Sequence, residues 1–191
     1  MSFLKYLIPA SFLALLPTLS FAGSHGGNLD PSDAVGISFW IISIAMVAAT
    51  VFFLMESLRV KGKWRTSLVV GALVTLVAAV HYFYMRGVWV NTGESPLVFR
   101  YVDWLLTVPL QIIEFYLILA AIAVVRAALF WKLMIASLVM LIFGFLGELG
   151  AMSYWPAFAI GMAGWLYIIY EIFAGEASQI SAASGTAASQ T

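Results

Sequence analysis

The sequence predicts an all-α integral membrane protein, a bundle of transmembrane helices, and three observations carry that prediction. Hydrophobic residues make up 63% of the 191-residue chain and charged ones only 9%, against roughly 25% charged in a soluble domain. Too few polar side chains remain to cover a water-soluble globule. Five apolar stretches each approach the roughly 20 residues that cross a bilayer as a helix. No stretch alternates apolar and polar residues with a period of two, which argues against an outer-membrane barrel. Composition removes other classes as well. Nine basic residues balance nine acidic ones, so no excess positive charge points to nucleic acid as a partner. The absence of cysteine excludes disulfide scaffolds, thiolate metal sites and thiol catalysis.

Residues 1–22 read as a secretory signal peptide. Lys5 gives a positive start, residues 6–19 an apolar run, and Ser20-Phe21-Ala22 a small-x-small cleavage signal. Pro9 and Pro17 disfavour a stable helix there, although a first transmembrane helix is the alternative reading. Residues 23–33 follow as a short exposed N-terminus, with His25 a solvated loop residue and Asp30-Pro31-Ser32-Asp33 opening a helix. Spans are expected at residues 35–55, 66–85, 97–123, 129–150 and 155–174, which makes residues 23–175 one five-helix domain. From Glu176 to Thr191 the composition turns to Ser, Ala, Gly, Thr and Gln, and a flexible loop is expected.

Lys and Arg set the orientation. Arg59, Lys61, Lys63 and Arg65 occupy the first loop, and Arg126 and Lys132 the third. The second connection has none after Arg86 and the fourth has none at all. The first and third loops are therefore expected in the cytoplasm and the mature N-terminus outside, which is also what a cleaved signal peptide requires.

Ionisable residues inside a span are costly and mark a proton or ion pathway, or a polar contact between helices. The third helix carries Arg100, Asp103 and Glu114. At 100° and 1.5 Å per residue, Asp103 and Glu114 fall about 20° apart in azimuth and about 16 Å apart along the axis. Thr107, Arg100 and Gln111 lie about 40°, 60° and 80° from Asp103. One stripe holds all five, and lipid cannot satisfy it, so a protein interior or water-filled cavity must. Arg100 would favour the ionised form of Asp103, while apolar neighbours would favour the protonated form of Glu114. One carboxylate is then poised to accept a proton and the other to hold one. A polar seam joining helices is the rival reading. His81 matches the depth of Asp103 to within a turn or two and could hydrogen-bond it, or make a contact between helices or subunits. Glu148 and Glu171, near helix ends, read as boundary or helix-contact residues. Trp104, the pair Met140 and Gly144, and Phe158 with Trp165 could line an apolar cofactor slot, or simply pack.

The segment Arg100-Tyr101-Val102-Asp103-Trp104-Leu105-Leu106-Thr107-Val108-Pro109-Leu110 resembles the third-helix signature of microbial rhodopsins. With Gln111, Glu114-Phe115-Tyr116-Leu117-Ile118-Leu119, Tyr84-Met85-Arg86-Gly87-Val88-Trp89 and Trp155-Pro156-Ala157-Phe158, it is similar to the proteorhodopsin branch. The resemblance runs from the signal peptide to the C-terminus. It implies a retinal-bearing, light-driven pump that exports protons across the bacterial inner membrane, an ion transporter and not an enzyme. It implies Asp103 as counter-ion and primary proton acceptor, Glu114 as cytoplasmic donor, Arg100 as the release gate and His81 as the acceptor's partner. Trp104, Thr107, Met140, Gly144 and Trp165 match retinal-pocket positions. Gln111 matches the position that tunes colour, where Gln accompanies blue absorption and Leu green. Retinal, the lipid bilayer and further copies of the chain are the expected partners.

One feature departs from the family. Microbial rhodopsins have seven helices and hold retinal as a Schiff base on a lysine of the seventh. Here five spans are expected, and Lys5, Lys61, Lys63 and Lys132 all lie away from Asp103. An N-terminal piece ending about where a sixth helix would start is therefore expected. Two other readings stand beside the pump. One is a sensory rhodopsin, against which a carboxylate at the Glu114 position argues; the other is a complete five-helix protein that does not respond to light.

Overall fold

The structure, a computed structural model, describes residues 30–185; the expected signal peptide, His25 and the end of the expected loop lie outside them. Among the described residues six helices follow in order: α1 Ala34–Ser57, α2 Lys63–Thr92, α3 Leu97–Ile122, α4 Ala127–Glu148, α5 Tyr154–Phe173 and the short α6 Glu176–Ala183. Five spans are long and apolar enough to cross a membrane, the last running from Tyr154 to Ala183. Short connections force successive helices antiparallel. All the residues from Arg59 to Arg65, with Arg126 and Lys132, thus gather at one end of the bundle, called here the basic end. Large apolar side chains such as Ile41, Phe52, Trp155 and Phe173 are exposed, as a lipid-facing surface requires.

Asp33 caps α1, its side chain accepting from the Val35 and Gly36 N–H groups. The buried residues of α1 are Gly36, Ser43, Thr50 and Ser57, one at every seventh position and all small. Lipid gives helices no hydrophobic reason to associate, so close approach through small residues and shared polar contacts takes that role. Thr50 Oγ1 lies 2.8 Å from Thr75 Oγ1 of α2.

Expected and observed bounds differ most at α2, which continues past Met85 to Thr92. The guanidinium of Arg86 lies 5.1 Å from the Trp40 ring centroid, and the Trp89 indole donates to Asp33 Oδ2 at 2.8 Å. These partners keep the polar turns helical until Gly93, whose φ of 69° ends the helix. At its other end, Lys63 Nζ donates to the Ala120 carbonyl at 2.7 Å, a cation placed against the negative end of α3.

α4 and α5 pack through glycine. A Cβ on Gly164 would stand 2.8 Å from the Ala136 carbonyl oxygen, so this approach excludes any larger residue. A buried apolar cluster of Ile112, Leu119, Leu129, Leu133, Met134 and Ala177 joins α3, α4 and α6 near the basic end.

The expectation of a flexible loop from Glu176 needs correction. Residues Glu176–Ala183 form α6, with Ala177 buried in that cluster. Glu176 accepts from Arg126 Nε at 2.9 Å and Lys132 Nζ at 3.3 Å. Its N–H donates to Glu171 Oε2 at 2.9 Å. Charges about 50 residues away in sequence, together with one buried alanine, order a segment whose own composition is polar and small.

Candidate functional site

Asp103 is 3% exposed on α3, although Leu105 and Leu106 two and three residues on are open to the surroundings. Its carboxylate faces α2, where His81 Nδ1 lies 3.3 Å from Oδ1. That nitrogen is also 3.0 Å from the Val77 carbonyl. The approach of His81 is close enough for an ion pair when the imidazole is charged, but its direction leaves Oδ1 buried without a hydrogen bond. An unsatisfied buried polar atom costs about 1–3 kcal/mol, so this oxygen is a place for a donor. Thr107, also buried, turns its hydroxyl to the Asp103 carbonyl at 2.9 Å.

Arg100 does not pair with Asp103. Its Nη2 lies 2.9 Å from Glu148 Oε2, at the end of α4, and Tyr101 donates to Glu148 Oε1 at 3.2 Å. Helix arithmetic could find the one-turn spacing from Asp103, but not a competing carboxylate 48 residues away. Nε of Arg100 is the second buried side-chain atom without a hydrogen bond among the described residues, and the guanidinium carbon is 5.6 Å from the Trp104 ring centroid.

Glu114 lies further along α3 toward the basic end and also faces α2. A Cβ built on Gly71 would meet Glu114 Oε1 at 2.8 Å. Both carboxylates of α3 therefore lie along one seam, against His81 and Gly71 of the antiparallel neighbour.

Trp104 points to the other side of α3, into a cavity of about 520 Å³ between α3, α4 and α5. Met140, Gly144 and Trp165 line it as well, and so does Phe158. Sequence reasoning missed Tyr101, Val108, Leu141, Ala157, Gly161 and Met162 in this lining. Val108 follows Trp104 by one helical turn, and Met162 follows Phe158 likewise, so the i, i+4 rule could have found both. Gly144 leaves space that a Cβ would take at 3.1 Å from the Tyr101 hydroxyl. Thr107 is not part of this lining, and neither is Gln111. Gln111 is exposed, yet seven residues place it about 20° from Trp104 in azimuth, on the cavity-bearing side. Glu171 sits at the basic end, 4% exposed, accepting from the Tyr167 hydroxyl at 2.7 Å. No group of three or more metal-ligating side chains occurs among the described residues.

The bacteriorhodopsin-like protein family matches the chain over residues 33–191. The sequence is 57% identical over 173 residues to the green-light absorbing proteorhodopsin of Gamma-proteobacterium EBAC31A08, covering 91% of this chain and 68% of that protein. It is 60% identical over 172 residues to the blue-light absorbing proteorhodopsin of Gamma-proteobacterium Hot 75m4, covering 90% and 67%. The fold is similar to a crystal structure of blue light-absorbing proteorhodopsin from Med12, with a TM-score of 0.68 and 61% identity. That likeness covers 78% of this chain and 70% of the other.

Proposed function

The chain belongs to the bacteriorhodopsin-like protein family, and from that premise we propose that it forms the proton-relay part of a light-driven outward pump. The observation that carries this reading is the seam between α2 and α3. Asp103 stands against His81 and Glu114 against Gly71, two carboxylates in line across the depth of a membrane.

The basic end is cytoplasmic, so Glu114 lies inward of Asp103 and the relay has a direction. Asp103 accepts a proton, and His81 at 3.3 Å holds charge beside it. Arg100, bound to Glu148 at the opposite end, gates the way outward. Glu114 resupplies a proton from the cytoplasmic side. Trp104, Met140, Gly144 and Trp165 offer an apolar, aromatic slot that fits a long polyene such as retinal, and Thr107 packs beside Asp103. The unpaired Oδ1 of Asp103 fits a protonated nitrogen as its donor. Retinal, when bound on a lysine, supplies light absorption and that nitrogen. Gln111, on the same side of α3 as Trp104, tunes the absorbed colour.

The test joins this chain to the part of the blue-light absorbing relative that supplies the lysine-bearing helix. With all-trans retinal in bacterial cells, illumination should acidify the medium, and Asp103→Asn should abolish this. Pigment that forms without any light-driven pH change would overturn the pump and favour a sensor.

A further inference from the structure

On the α2 side of the relay, Gly71 lies where the carboxyl of Glu114 ends. A Cβ there would lie 2.8 Å from Oε1, 3.4 Å from Cδ and 3.5 Å from Oε2 of Glu114, so the carboxyl occupies the space that any other residue would fill. We propose that Gly71 is a positioning residue for the inward carboxylate: its missing side chain sets where the carboxyl of Glu114 rests against α2. The three heavy atoms nearest that Cβ position all belong to the carboxyl group of Glu114. The atoms in the way form the free end of a flexible side chain and not backbone. Adding a methyl group therefore moves the carboxyl and leaves the two helices in place. Gly87, on the same helix, has nothing within 4 Å of its Cβ position and serves as the control. The importance of this contact for transport rests on reading Glu114 as the donor; the contact itself does not.

The test needs no pigment. The chain is placed in lipid nanodiscs, and the carboxyl C=O stretch of Glu114 is isolated by subtracting the infrared spectrum of Glu114→Gln. Gly71→Ala should shift that band with helix content unchanged by circular dichroism, whereas Gly87→Ala should leave it in place. Glu114→Asp withdraws the carboxyl by one methylene, so adding Gly71→Ala to it should shift the Asp band little, a non-additive pair as expected for residues in contact. An unmoved band in Gly71→Ala, or an equal shift in Gly87→Ala, would overturn the proposal. The two readings fail separately. Loss of light-driven acidification concerns the relay, and an unshifted carboxyl band concerns Gly71 alone.

Discussion

Asp33 accepts the Val35 and Gly36 N–H groups through Oδ1 and the Trp89 indole N–H through Oδ2. These bonds hold its carboxyl below the usual carboxylate range, the Gly36 N–H foremost and the Trp89 indole next. A carboxylate held low in the folded state stabilises it above the ordinary Asp value of about 3.9. That contribution disappears as the pH falls through the lowered value. Acid should therefore release the clasp between α1 and α2 only below about pH 3.9. The Trp89 indole N–H resonance of labelled protein in nanodiscs should move over that range. Asn caps a helix about as well as Asp and carries no charge, so Asp33→Asn should remove most of the movement. Asp30, also held low by Ser32, is common to both proteins and cancels in the comparison. An acid-insensitive Trp89 in the parent chain would refute the clasp. Elsewhere, legibility followed distance along the chain. The approach of His81 to Asp103 could be anticipated because helix rise gives depth directly. The pairing of Arg100 with Glu148 and the fit of Glu114 against Gly71 could not, because which carboxylate or glycine a neighbouring helix presents depends on its rotation.

At the scale of elements, the long helices were readable because apolar length is all that a span requires, and their ends were less so. α2 passes Arg86 because Trp40 and Asp33 receive its polar turns, and α6 forms because charges on α4 and α5 anchor it. The anchors differ in worth. Arg126 is 76% exposed where it meets Glu176, and such a pair contributes about 0–1 kcal/mol. Glu171 is buried and accepts both the Tyr167 hydroxyl and the Glu176 N–H. Its removal leaves the part-buried Glu176 N–H without its acceptor, at a cost of about 1–3 kcal/mol, while the exposed Tyr167 hydroxyl can turn elsewhere. Hydrogen exchange across α6 should separate the two: Glu171→Ala should speed it about tenfold or more, since 1.4 kcal/mol is a factor of ten, and Arg126→Ala by less than that. Equal acceleration in both variants would mean that the exposed pair anchors α6 as strongly as the buried carboxylate does, against this ranking.

For the whole molecule, the antiparallel order of the helices sends Lys61, Lys63 and Lys132 to one end of the bundle and Asp103 toward the other. Lys63 Nζ is fixed on the Ala120 carbonyl, seventeen residues along α3 from Asp103, or about 25 Å of helix. Lys132 lies at the same end, 3.3 Å from Glu176 Oε2, and Lys61 is exposed in the loop that precedes α2. No lysine side chain crosses that distance, and moving one inward would break its present bonds and take a charge into the apolar depth of the bundle. None of these three amines thus reaches Asp103. The 191-residue chain, expressed with all-trans retinal and purified, should therefore show no visible absorption band that survives hydroxylamine in the dark. The blue-light absorbing relative, expressed and treated in the same way, is the positive control. A hydroxylamine-resistant band in the 191-residue chain alone would mean that another amine reaches Asp103, and that the depth assigned to the lysines is wrong.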